Sequence, residues 1–219
     1  MWNSQVIIML LEGIRDTLYM TLASTLFGYI IGLPMGIVLT VTDKDGIRPN
    51  TAVYKVPDVI SNLLRSIPFI ILLIVLIPFT RFVVGRSYGS TATIVPLTIA
   101  AAPYIARMVE SSLKEVDAGV IEAARSMGAS DFQIVTKVML VEARTSLIVG
   151  ATISLGTILG YSAMAGTVGG GGLGDIAIRY GYTRWQTDIM VVTVVLLVIL
   201  FQIFQTIGMK IANRLDRRK

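Results

Sequence analysis

Long uncharged stretches alternate with short charged ones along this chain. Thr17–Thr42 holds 26 residues without a charge, and Val59–Thr80 holds 22 interrupted only by Arg65. Ser87–Ala106 adds 20, Thr145–Gly174 adds 30, and Ile189–Met209 adds 21. Apolar residues run continuously within them rather than alternating, which excludes the strands of a membrane barrel. A helix of about 20 mostly apolar residues crosses roughly 30 Å of hydrocarbon. The pattern predicts an all-α integral membrane protein: five transmembrane helices, at about 17–42, 59–80, 87–106, 145–164 and 189–209, in one domain, 1–219. Residues 1–11 are apolar but short, with no basic start and no small-residue cleavage site. They read as an interfacial lead-in, with Trp2 at the membrane surface. Pro68 and Pro78 are expected to bend or loosen the second span, Pro34 the first, and Pro96 and Pro103 the third.

Composition sharpens this reading. Apolar residues make up 54% and charged residues 15%, and the mean hydropathy is +0.74; a soluble domain carries about 25% charged residues. The chain has no cysteine and no histidine, which removes disulfides, thiolate nucleophiles and imidazole chemistry. The net charge of +5 would raise nucleic acid as a partner in a soluble protein, but the placement of the charges points elsewhere. With five crossings, one side carries 13 Lys and Arg, in 44–55, 107–144 and 210–219, and the other carries five, Arg15, Arg81, Arg86, Arg179 and Arg184. The positive-inside bias puts the C-terminus in the cytoplasm and the N-terminus outside.

No Asp or Glu lies inside the five runs, which disfavours an ion-coupled carrier, since such carriers hold their coupling ion with intramembrane carboxylates. No phosphate-cradling G-x-x-x-x-G-K-[ST] occurs, so the chain has no nucleotide site of that type. Arg65 is the one ionised group within a run. It either snorkels to the nearby surface or faces a water-filled path.

The 38 residues from Arg107 to Arg144 hold eleven charges, long enough for a structure of their own. Asp117 caps a short helix, 118–127, whose Val120, Ala124 and Met127 share a face. Gly128 fits the left-handed stop, and Ser130 with Gln133 forms a capping box that starts a second helix into span four. The expected shape is a helix–corner–helix knob projecting from the membrane toward a groove on a soluble partner. On the other side, Gly166–Gly174 holds six glycines in nine residues, read either as a plain turn or as a hinge at the external mouth.

The run Glu122-Ala123-Ala124, three residues, then Gly128 resembles the EAA signature of ABC importer permeases, E-A-A-x₃-G-x₉-I-x-L-P. The chain keeps Leu140 and has Val138 and Val141 for the Ile and Pro, so the second helix can run into span four unbroken. R-S-I-P-F-I-I-L-L (65–73), P-Y-I-A-R (103–107) and G-Y-S-A-M-A-G-x-V-G-x-G-G-L-G (160–174) extend the likeness to the methionine importer permeases. That resemblance implies a non-catalytic subunit of a bacterial inner-membrane importer, in contact with membrane lipid and with no nucleic acid partner. It implies a homodimer with a pathway between its copies, two ATP-binding subunits that hold ATP and Mg, and an external substrate-binding lipoprotein. No cofactor or metal is expected in this chain. Glu122, Ala123, Ala124 and Gly128 would then form the ATPase-coupling element, and Arg65, Met164, Gly166 and Gly169 are candidates for the pathway or its gate. Other readings are a related importer for another amino acid or a quaternary amine, an ATP-independent facilitator or channel, and an assembly scaffold.

Overall fold

The computed structural model describes residues 4–216, and among these every regular element is helical. Trp2 and the basic Arg217, Arg218 and Lys219 lie outside the described residues. Helix α1, Ser4–Thr42, is 39 residues long. The uncharged run from Thr17 therefore covers only part of it, and residues 4–11 are continuous with the span. Its buried face is built from small and hydroxyl side chains at helical spacing, including Gly13, Thr17, Thr21, Ser24, Gly28, Gly32 and Gly36. Its large residues, such as Ile8, Leu22, Leu26, Ile30 and Ile31, face outward. In lipid an exposed Leu carries no penalty, and small residues let two backbones approach.

The partner of that stripe is α5, Ser90–Lys114. A Cβ on Gly28 would lie 2.9 Å from the Ile105 side chain, on Gly32 2.6 Å from the Ala102 carbonyl, and on Gly36 2.6 Å from the Ala106 carbonyl. The contacts advance together along both helices, so α1 and α5 run parallel. The intervening chain must return from one end to the other. It does so in three pieces: α2 (Thr51–Ser66), α3 (Phe69–Val75) and α4 (Ile77–Val84).

The bend expected at Pro68 is a sharp one. α2 and α3 meet at 104°. Ile67, ahead of Pro68, is extended at φ −84°, ψ 125°, because the proline ring disfavours helical geometry in the residue before it. Pro78 falls in the first turn of α4, where its missing N–H costs nothing. Pro34 in α1 and Pro96 and Pro103 in α5 lie within continuous helices.

α9 (Arg144–Ala165) packs antiparallel to α5, with Ser146 Oγ 3.0 Å from Ser112 Oγ and Gly150 against Met108. After the short α10 (Gly172–Ile176), α11 (Thr187–Leu215) returns antiparallel along α9, with Gly156 against Phe201 and Gly208 against Thr152. Among the described residues four helices, or five if the bent α2–α3 pair is one span, are long and apolar enough to cross a membrane. Residue 4 lies at the end opposite residues 43–50, 107–144 and 216.

Candidate functional site

Two regions carry the residues singled out by sequence, one at each end of the bundle. The first is the helix–corner–helix. Asp117 caps α6, Ala118–Ser126, by accepting the Gly119 N–H at 2.8 Å. At its other end Gly128 takes φ +82°. Its N–H donates to the Arg125 carbonyl at 3.0 Å, and the Ala129 N–H donates to the Ala124 carbonyl at 3.1 Å. This pair of bonds is the Schellman arrangement. Ser130 then opens the next helix with a reciprocal capping box: Gln133 N–H reaches Ser130 Oγ, and Gln133 Oε1 accepts the Ser130 N–H at 2.9 Å. That helix passes through α7 (Asp131–Gln133), a π-helical stretch (Ile134–Met139) and α8 (Leu140–Glu142). Only Ala143 separates it from α9.

The knob has a buried root and a bare tip. Ala124, Ile134, Val135 and Met139 join Ile105, Val109 and Leu113 of α5 in one apolar cluster. Of the face Val120, Ala124 and Met127, only Ala124 is buried. Met127 is 82% exposed and Phe132 77% exposed, a costly display of apolar surface in water. Glu122 and Ala123 are exposed on the same helix. Glu122 makes no ion pair among the described residues. Its neighbour Arg125 instead donates from Nη2 to the carbonyl of Ile47, 2.7 Å away in the α1–α2 loop.

Sequence reasoning missed the ionic cluster that ties α2 and the chain just past α1 to α5 at this end. Arg107 Nη2 pairs with Asp58 of α2 and donates to Asn62 Oδ1 at 2.9 Å, while its Nη1 meets Glu110 at 2.7 Å. Glu110 is only 6% exposed and also receives Lys114 Nζ at 2.8 Å. Lys114 reaches Asp43 at 2.5 Å. That hydrogen bond holds the Asp43 carboxyl below the usual carboxylate range, against the upward push of partial burial. The helix α5 runs two turns past the uncharged run that ended at Ala106, and the charges on those turns build this cluster.

At the other end α9 closes through a single 3₁₀ turn, Gly166–Val168. The glycines there are needed for close approach. Gly166 is buried against the backbone of Gly174 and Asp175, and Gly169 and Gly171 have φ +78° and +83°. The segment is pinned: Gly89 N–H donates to the Gly169 carbonyl at 2.9 Å, Thr93 Oγ1 to the Gly170 carbonyl at 3.2 Å, and Leu173 N–H to Thr17 Oγ1 at 2.9 Å. Met164 is 51% exposed. Arg65 is exposed in the last turn of α2, directly before the bend, rather than within a straight span. The two are linked through one ring pair. Phe69, four residues past Arg65, stacks on Tyr161, one turn before Met164, with centroids 4.5 Å apart and planes at 6°.

Comparisons with known proteins agree with one another. Residues 19–219 match the family described as the binding-protein-dependent transport system inner membrane component. The probable D-methionine transport system permease protein MetI of Vibrio cholerae is 48% identical over 210 residues, covering 96% of this chain and 93% of that protein. The D-methionine transport system permease protein MetI of Escherichia coli is 54% identical over 158 residues, 72% of this chain and 73% of that one. Among solved structures, a chain of the MetNI methionine ABC transporter in an inward-facing conformation superposes with a TM-score of 0.96 at 49% identity, covering 99% of this chain and all of that one. An amino acid ABC transporter, 20% identical with a TM-score of 0.78, shares the fold.

Proposed function

The chain belongs to the family of binding-protein-dependent transport system inner membrane components, and on that premise we propose that it is the membrane-spanning permease of an ATP-driven methionine importer. It performs no hydrolysis; a separate ATPase chain binds ATP and Mg and does that chemistry. Two copies pair about a two-fold axis, with the pathway between them, and an external binding protein delivers the substrate. The end bearing the knob faces the cytoplasm, in accord with the basic residues counted there, and the N-terminus lies outside.

The observation that carries this reading is the knob itself: a capped corner whose root is buried in the bundle and which leaves Met127, Phe132 and Glu122 exposed. Exposed apolar side chains and a carboxylate on one projecting unit fit a groove with an apolar floor and a basic group. Closing of the ATPase pair pushes on this corner and biases the helix bundle between outward- and inward-open arrangements. At the opposite end, Met164 and the pinned turn at Gly166 and Gly169 form part of the gate, and Arg65 lies on the path below it.

Co-expression with the ATPase chain and reconstitution with the binding protein test the proposal. Uptake of labelled methionine, measured with each stereoisomer, should require ATP and all three components. Glu122→Lys should insert normally but lose either ATPase copurification or ATP-driven uptake. Uptake by the chain alone without ATP, or a Glu122→Lys complex with wild-type uptake, contradicts the proposal. A C-terminal reporter active only on the outer face would overturn the orientation.

A further inference from the structure

The knob touches more than its root. Residues 43–50 fold back on the end of α1 as a stiff strap. Gly46 N–H donates to the Asp43 carbonyl, Arg48 N–H to the Val41 carbonyl and Asn50 N–H to the Thr42 carbonyl, each at 3.0 Å. Gly46 sits so close that a Cβ there would lie 2.5 Å from the carbonyl oxygens of both Thr40 and Val41. The strap ends at Asn50, whose Oδ1 caps α2 by accepting the Ala52 and Val53 N–H groups at 3.1 Å. α2 then leads to the 104° bend. On its other flank the strap packs Ile47 against the knob's apolar root and makes two polar contacts with the knob, Arg125 Nη2 on the Ile47 carbonyl at 2.7 Å and Arg48 with Asp131 at 4.0 Å. α6 has nine residues and anchors itself in the core through Ala124 and the half-buried Ile121 alone, so a link to a neighbouring segment adds to how firmly it is held.

We infer that Arg125 is a positioning residue for coupling: it locks the knob to the 43–50 strap, which carries the knob's displacement into α2 and the broken second span. This rests on the reading of the knob as the ATPase contact. The strap is short and bonded both to itself and to the last turn of α1, so it transmits displacement rather than absorbing it. The Arg125 bond is the shorter of its two polar links to the knob, and a charged donor on a carbonyl is the stronger kind of bond.

The test uses the full chain in complex with its ATPase chain and binding protein in proteoliposomes, with ATP hydrolysis and methionine uptake read together. Arg125→Met keeps the aliphatic stem and removes the donor. It should copurify with the ATPase and still hydrolyse ATP, while uptake per ATP falls about fivefold, the factor that corresponds to roughly 1 kcal/mol. Arg125→Lys, which can still donate to the Ile47 carbonyl, should recover most of the ratio. Gly46→Val, which distorts the strap without touching the knob, should lower the same ratio, and the double variant should fall no further than the worse single one. An unchanged ratio in Arg125→Met overturns the inference. So does loss of the ATPase from that complex, or no recovery in Arg125→Lys, since either assigns Arg125 a purely structural part. Failure of the underlying reading looks different: Glu122→Lys and Gly128→Val would then both retain wild-type uptake, whatever Arg125→Met does.

Discussion

Replacing Gly128 by valine isolates the shape of the corner from its contacts. Gly128 sits at φ +82°, and a Cβ built there meets nothing within 4 Å. The penalty is therefore conformational, not steric crowding by neighbours. An L-residue in the left-handed region costs about 1–2 kcal/mol, and a β-branched one is a strong outlier there. Relief comes by moving φ to negative values, which breaks the Gly128-to-Arg125 and Ala129-to-Ala124 bonds and turns the second helix away. A cost of about 1–2 kcal/mol shifts the balance between the built and the distorted corner by a factor of roughly 5–30. Uptake per complex should fall by a similar factor, with insertion retained because the root cluster is untouched. Gly85 supplies the control. It also has φ +82° with open space around its Cβ, and its N–H closes α4 on the Arg81 carbonyl at 2.8 Å, but it lies at the other end of the bundle. Gly85→Val carries the same backbone penalty and should leave uptake per complex near wild type. Uptake would be measured against complex yield for both variants. Wild-type uptake by Gly128→Val, or an equal loss in Gly85→Val, would show that corner shape does not govern coupling.

Gly32→Leu drives a side chain into the Ala102 carbonyl and Ile105, so α1 and α5 must separate; overpacking of this kind costs about 1–3 kcal/mol, and the melting temperature in detergent should drop while Gly160→Leu, in open space, should not lower it. Asp43 has a depressed folded pKa, so its stabilising effect is complete above the ordinary carboxylate value of 3.8 and fades as pH falls through the lower folded value. Melting temperature followed from neutral to acid pH should show Asp43→Asn below wild type at neutral pH and the two converging in acid; parallel curves would dismiss that role. Arg65→Leu should keep complex yield, since the exposed cation contributes only about 0.3–1 kcal/mol through the helix dipole, while uptake falls; a collapse of yield would reveal a structural partner instead.

How much of this molecule could be read from its residues varies with the range of the physics involved. Uncharged runs announced the membrane helices because the bilayer rejects charge all along a span. The corner was legible for an equally local reason: Asp117, Gly128, Ser130 and Gln133 satisfy helix ends within a few residues of themselves, and local hydrogen bonds need no distant partner. Pro68 marked the break in the second span, since its effect falls on its own neighbour Ile67. The 104° turn there, by contrast, goes with the packing of Phe69 and Leu73 of α3 against the distant Leu97 and Tyr161. The face of α1 that packs on α5 is built on Gly28, Gly32 and Gly36, and only the assembled helices show what approaches there. The uncharged run ends at Ala106, while α5 continues to Lys114, where Arg107 and Lys114 pair with Asp58 and Asp43 from other segments. Those pairings, like the Arg125 bond to Ile47 across 78 positions, exist only once the helices are assembled.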